Sequence, residues 1–158
     1  MNTEIETPAG EPVIRVRRFF KAPPELVYKA CTEADYIRRW MGPRHLEVSE
    51  CDVDVRVGGA WRLVHRAPDG AEFVFYGELL ELDPRRRVGT FIWEGAPEDK
   101  AVETMELEAV EGGTLLTTTM VHSSVAARDM HVANGMEGGV VESYERLDEL
   151  VAEEQAPA

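Results

Sequence analysis

The stretch Asn134-Gly135-Met136-Glu137-Gly138-Gly139-Val140 lies inside a helical pattern that runs from about Ser123 to Glu154. The apolar stripe of that pattern is Ala133, Met136, Val140, Tyr144, Leu147 and Val151, at helical spacing. Three glycines within five residues weaken a helix by about 1 kcal/mol each relative to alanine. A chain that tolerates them either bends at that point or lets something approach the backbone closely. The upstream sequence reads mostly as sheet. Together the two halves predict a curved antiparallel sheet holding one long helix, with a gap beside the glycines where a small apolar molecule would bind.

Working back from the helix, the strands declare themselves by alternation. The first spans roughly Pro12 to Phe20 and places Ile14, Val16 and Phe20 on one face, with Arg18 on that same apolar face. An arginine there requires a carboxylate partner or a wet pocket. Ala22-Pro23-Pro24-Glu25 opens a helix, since proline suits the first turn and an early glutamate suits the dipole. A second short helix runs from about Glu33 to Trp40 and ends at Gly42-Pro43. From Leu46 the apolar phase slips by one residue, from Leu46 and Val48 to Cys51, Val53, Val55 and Val57, which predicts a bulge. Further strands follow at about 60–67, 72–82, 87–94, 101–109 and 114–122, joined by Gly58-Gly59, Pro68-Asp69-Gly70, Asp83-Pro84-Arg85 and Glu111-Gly112-Gly113. Ser123 or Ser124 is placed to cap the terminal helix. The class is therefore α+β, with six to seven antiparallel strands, two short helices after the first strand, and one long C-terminal helix. Residues 12–154 form the domain, with polar tails at 1–11 and 155–158.

Of 158 residues, 44% are hydrophobic and 30% charged, ordinary values for a folded domain. The formal net charge of −13 argues against nucleic acid and against anionic membranes, both of which require a basic surface. No apolar run is long enough to cross a bilayer. Two cysteines, Cys31 and Cys51, are too few for a disulfide framework and read as buried free thiols, with the cytoplasm as the default compartment. The residues expected to line the gap are Trp61, Phe75, Phe91, Met105, Met120, Met136 and Val140. Methionines adapt to irregular ligands. Trp40 and Met41 are expected either at the entrance or as a hydrophobic latch holding the short helices to the sheet. His65, on one face with Trp61 and Leu63, is the best candidate to orient a ligand or act as a base. Glu103 shares a face with Met105 and Leu107, so Arg18 and Glu103 are candidates for a buried pair or a polar anchor. The four histidines lack metal-ligand spacing, no phosphate loop is present, and neither metal nor cofactor is expected.

Four segments also carry a resemblance: Arg18-Phe19-Phe20-Lys21-Ala22-Pro23, Trp40-Met41-Gly42-Pro43, Gly58-Gly59-Ala60-Trp61-Arg62 and Asn134-Gly135-Met136-Glu137-Gly138-Gly139. In this order and spacing the chain resembles the activators of heat-shock protein 90 ATPase homologues, within the START-like superfamily of helix-grip folds. The resemblance spans about Val13 to Val151. It implies a cavity for a hydrophobic molecule such as a lipid, polyketide or aromatic metabolite, in a monomer or homodimer. It implies no fixed catalytic set. Members of the superfamily range from ligand carriers to polyketide cyclases, so a cyclase, dehydratase or hydrolase is the enzymatic alternative, and a stress-response interaction module is the third. The co-chaperone role attaches to larger proteins with an additional N-terminal domain and is not expected here. Relatives usually carry tryptophan where this chain has Val140, which predicts an enlarged space under the helix.

Overall fold

Hairpin after hairpin builds the sheet in the computed structural model, which describes residues 3–157. Within them the order is β1 Glu4–Glu6, β2 Val13–Phe20, α1 Pro24–Thr32, α2 Ala34–Trp40, β3 Glu47–Val53, β4 Ala60–Arg66, β5 Glu72–Asp83, β6 Arg86–Trp93, β7 Ala101–Val110, β8 Gly113–Val121, α3 Val125–Ala133 and α4 Met136–Gln155. The strands form one sheet in the order β1-β2-β8-β7-β6-β5-β4-β3, with every neighbouring pair antiparallel. Because α1 and α2 separate β2 from β3, the chain crosses from one side of the sheet to the other before the meander from β3 to β8 begins. The last strand then returns beside β2.

The predicted bulge is real. The β3–β4 register shifts between Val48 and Glu50, where the apolar phase slips, and a second shift lies between Leu79 and Glu81. Such irregularities bend the sheet, and its concave face receives the helices. Along β2, buried and half-buried residues alternate without a break, so Ile14, Val16, Arg18 and Phe20 all point inward. The main core lies where α4 and α1 meet β2, β7 and β8, and includes Phe20, Val27, Trp40, Leu107, Leu116, Tyr144, Leu147 and Val151. Tyr144 anchors α4 there: it meets Phe20 edge-on at 5.6 Å, and its hydroxyl shares a hydrogen bond with Thr118 at 2.9 Å. A second, smaller core of Ile37, Cys51 and Leu63 sits under α2. Both cysteines are free and buried, and burial pushes the Cys31 thiol up to about 12.

Two expectations are corrected. The terminal segment is two helices, because Gly135 adopts a left-handed conformation with φ of 85°. It ends α3 in the manner glycine favours at a C-terminus, with its amide donating to the Val132 carbonyl at 3.3 Å, and α4 starts from it. Ser124 caps α3 by accepting from the Ala127 amide at 3.0 Å. The sheet also has an additional edge strand. Residues 4–6, within the expected tail, are too few to show a period, yet Ile5 pairs with Val16 and Glu6 bonds to both Arg15 and Arg17. At the other end α4 continues through Gln155, whose amide donates to the Lys21 carbonyl at 2.9 Å.

Candidate functional site

Helix α4 makes its main contacts with β2, α1, α2 and α3, and α2 in turn covers β3. The concave face of β4, β5 and β6 adjoins the second core, to which Leu63 belongs and against which Trp61 and Phe75 pack. It carries aromatic side chains at successive registers: Trp61 opposite Gly77, Phe75 opposite Trp93, and Phe91 opposite Ala101. Phe91 is the hub, with its ring 5.9 Å from Trp61 and 5.4 Å from Phe75. All three are only partly buried. Gly77 makes the cluster possible, since a Cβ there would lie 2.6 Å from the Trp61 indole nitrogen and 2.0 Å from the Thr90 carbonyl oxygen. That same carbonyl accepts from Trp61 Nε1 at 3.0 Å and fixes the indole. The result is a cluster of rigid, partly buried aromatic groups in which the indole nitrogen is satisfied.

His65 closes one end. It is 5% exposed, meets Phe75 edge-on at 5.9 Å, and lies against Gly42. Gly42 has φ of 88°, and a Cβ there would fall 2.4 Å from His65 Cε1. The Gly42 backbone is held by α4: its amide donates to Ser143 Oγ at 2.8 Å, and Arg146 Nη1 donates to its carbonyl at 2.9 Å. Burial, helped by the Arg146 charge, lowers His65 to about 4, so the imidazole is neutral at pH 7. Its Nδ1 is buried without a hydrogen-bond partner.

The other end holds a constellation that strand periodicity does not show. Asp99, in the β6–β7 connection, lies 2.6 Å from Nδ1 of His122, just past β8. Nε2 of His122 lies 3.0 Å from Nδ1 of His131 on α3. The other Asp99 oxygen accepts from the Ser123 amide at 2.8 Å and from Ser123 Oγ at 2.6 Å. The His131 ring stacks on Phe91, with centroids 6.2 Å apart and planes 14° from parallel. Burial and the neighbouring His122 lower His131 to about 4, against a raising effect from Asp99. The hydrogen bonds from Ser123 and His122 hold the Asp99 carboxyl below its usual range despite the opposing effect of burial. The sequence places His122 at the end of the last strand beside the helix start, and the β7–β8 register, which pairs Val102 with Val121, brings the β6–β7 connection to it.

The remaining predicted residues separate. Trp61, Phe75 and Phe91 converge, with His65 at their edge. Arg18 and Glu103 do not meet: Arg18 pairs with Asp148 of α4 at 3.3 Å and lies 5.4 Å over the Phe20 ring, whereas Glu103 pairs with Arg87 at 3.3 Å. Each charge found a nearer partner, since β8 stands between β2 and β7. Trp40 is 1% exposed and its Nε1 donates to the Ala30 carbonyl at 2.9 Å, which makes it the latch and not an entrance. Met41 bridges the two cores. Met105, Met120 and Met136 are buried, and Val140 packs partly buried against the main core. Gly138 and Gly139 have open space where a Cβ would stand, with no other protein atom beyond the local helix backbone within 4 Å among the described residues. A separate concavity of about 650 Å³ lies on the convex face among Arg15, Arg17, Arg86, Glu106, Thr117 and Thr119. Its arginines are already paired with Glu6 and Glu106.

A curved antiparallel sheet gripping a C-terminal helix defines an α+β protein of the helix-grip, START-like class. Within that class the chain belongs to the family of activator of Hsp90 ATPase homolog 1-like proteins, whose family model matches residues 21–152. The fold is similar to the crystal structure of a protein from Nitrosomonas europaea, at 27% identity and a TM-score of 0.83 over 96% of this chain and 100% of that one. A protein from Rhodobacter sphaeroides is similar at 27% identity and a TM-score of 0.87, over 97% and 100%. One from Chromobacterium violaceum shares 28% identity with a TM-score of 0.75, over 89% and 96%. Comparison with the curated proteins gave no match.

Proposed function

We propose that this protein binds a small hydrophobic molecule of the lipid, polyketide or aromatic-metabolite kind in the groove between the concave face of β4–β6 and the helices. One observation carries the reading: Trp61, Phe75 and Phe91 form a contiguous aromatic floor that stays partly exposed on a sheet face α4 does not cover. Such an aromatic surface gains free energy when an apolar ligand displaces water from it, at about 25 cal/mol per Å² of apolar surface removed. The family resemblance supports the same reading. No helix among the described residues is long and apolar enough to cross a membrane.

The test is displacement of an apolar fluorescent dye, followed by native mass spectrometry against a panel of fatty acids and polycyclic aromatic compounds. Micromolar binding corresponds to about −8 kcal/mol, and Phe91→Arg, which places a charge on the groove floor, is expected to abolish it while leaving the fold intact. Binding that persists in Phe91→Arg, or its absence up to millimolar ligand in the parent protein, overturns the reading.

A further inference from the structure

We infer that Asp99, His122 and His131 form a tautomer-fixing relay that presents the Nε2 lone pair of His131 to the groove, as an acceptor for the hydroxyl of a planar phenol or enol. The inference rests on the groove reading above and gives it a substrate class. The argument begins at Asp99. Its Oδ1 already accepts two bonds from Ser123, and its Oδ2 faces His122 Nδ1 at 2.6 Å. A carboxylate only accepts, so Nδ1 of His122 carries the hydrogen. In a neutral ring Nε2 is then the bare nitrogen. That nitrogen faces His131 Nδ1 at 3.0 Å, so His131 must donate from Nδ1. With His122 neutral, as above the ordinary histidine range, the consequence at the far end is that Nε2 of His131 is the unprotonated nitrogen, on the ring edge turned away from His122.

That nitrogen has no protein hydrogen-bond partner among the described residues, and it is not among the buried atoms left unpaired. Because His131 lies nearly parallel to Phe91 at 6.2 Å and its Nε2 is not among the buried unpaired atoms, its free edge is open at the margin of the aromatic cluster. Phe91 continues into Phe75 and Trp61, which suits a flat ring system. An acceptor fixed at the margin of an apolar floor selects a ligand that is aromatic on its face and a hydrogen donor at its rim. A ligand of the same shape without the donor leaves the acceptor dry and unpaired, and such unpaired groups are what make hydroxyl recognition selective. Burial, the main cause of its lowered titration, keeps His131 neutral, as an acceptor must be.

The experiment uses the full chain at about pH 8, above the ordinary histidine range. First, imidazole ¹⁵N shifts and long-range ¹⁵N–¹H couplings assign the tautomers. His122 and His131 are both expected as Nδ1–H. In Asp99→Asn, Ser123 still requires the oxygen, so the amide NH₂ faces His122, and both rings are expected to switch to Nε2–H. Second, 1-naphthol and 1-methoxynaphthalene are titrated. The parent is expected to prefer the naphthol by about tenfold, near the 1.4 kcal/mol of one good neutral hydrogen bond. His131→Phe keeps the stack on Phe91 and is expected to bind both equally, as is Asp99→Asn. Nε2–H on His131 in the parent, unswitched tautomers in Asp99→Asn, or equal affinities in the parent overturn the relay. Failure of the parent to bind either compound instead refutes the groove, and with it the hydroxyl-recognising role.

Discussion

Adjacent glycines in the terminal segment are expected to respond to alanine with opposite signs. Gly138 and Gly139 lie in the first turns of α4, and a Cβ on either would have no atom within 4 Å. Alanine therefore removes backbone freedom from the unfolded chain without adding a clash. Glycine costs a helix about 0.5–1 kcal/mol relative to alanine, so the double variant Gly138→Ala/Gly139→Ala should gain about 1–2 kcal/mol. Gly135 also has open space around it, but its φ of 85° is left-handed. Alanine there should lose about 1–2 kcal/mol, the cost of placing a Cβ against the following carbonyl. The assay is urea denaturation followed by circular dichroism and tryptophan fluorescence, with the thermal midpoint as a check. At this chain length each kcal/mol moves the midpoint by about 2–4 °C. The double variant should rise by about 2–8 °C and Gly135→Ala should fall by a few degrees, with unchanged denaturant slopes. A loss of stability in the double variant would refute the reasoning, because it would mean that something packs against those two positions after all.

Three further outcomes follow from the same contacts. Gly42→Ala should destabilise by about 2–4 kcal/mol in denaturant titration, through the left-handed backbone and the 2.4 Å approach to His65 together; a neutral effect would show that His65 is free to move. Asp148→Ala leaves Arg18, 4% exposed, without its carboxylate, and should cost about 1–3 kcal/mol, less than a fully buried pair because Asp148 is 37% exposed; Arg18→Met should cost less than Asp148→Ala, and the reverse order would contradict the pairing. His65 and His131 both titrate near 4 in the fold and near 6.5 when unfolded. The folded state thus binds fewer protons between those values, so stability is complete above about pH 6.5 and is lost as pH falls towards 4. His65→Phe should flatten part of that slope in unfolding curves at stepped pH, and an unchanged slope would remove His65 as a cause.

Local pattern carried most of the architecture. Alternation along β2 assigned the inward set Ile14, Val16, Arg18 and Phe20, the phase slip at Val48 located the bulge, and Pro24 with Trp40 bracketed the two short helices. These were legible because strand and helix periods are properties of neighbouring residues. The break at Gly135 was visible as a weakness but not as a turn, since a glycine in a helical pattern permits a left-handed residue without requiring one. The edge strand at Glu4–Glu6 was too short to leave a period.

Residue types and spacing sufficed for the fold class and for the antiparallel run of strands, since alternation and short turns are properties of neighbouring residues. Which groups meet was settled by folding. Arg18 took Asp148 across 130 residues, Glu103 took Arg87, and Asp99, His122 and His131 were drawn into one line by a hairpin register and a helix laid over Phe91. Pairings of this kind depend on distances between elements, and distance in space is the quantity that a one-dimensional pattern does not contain.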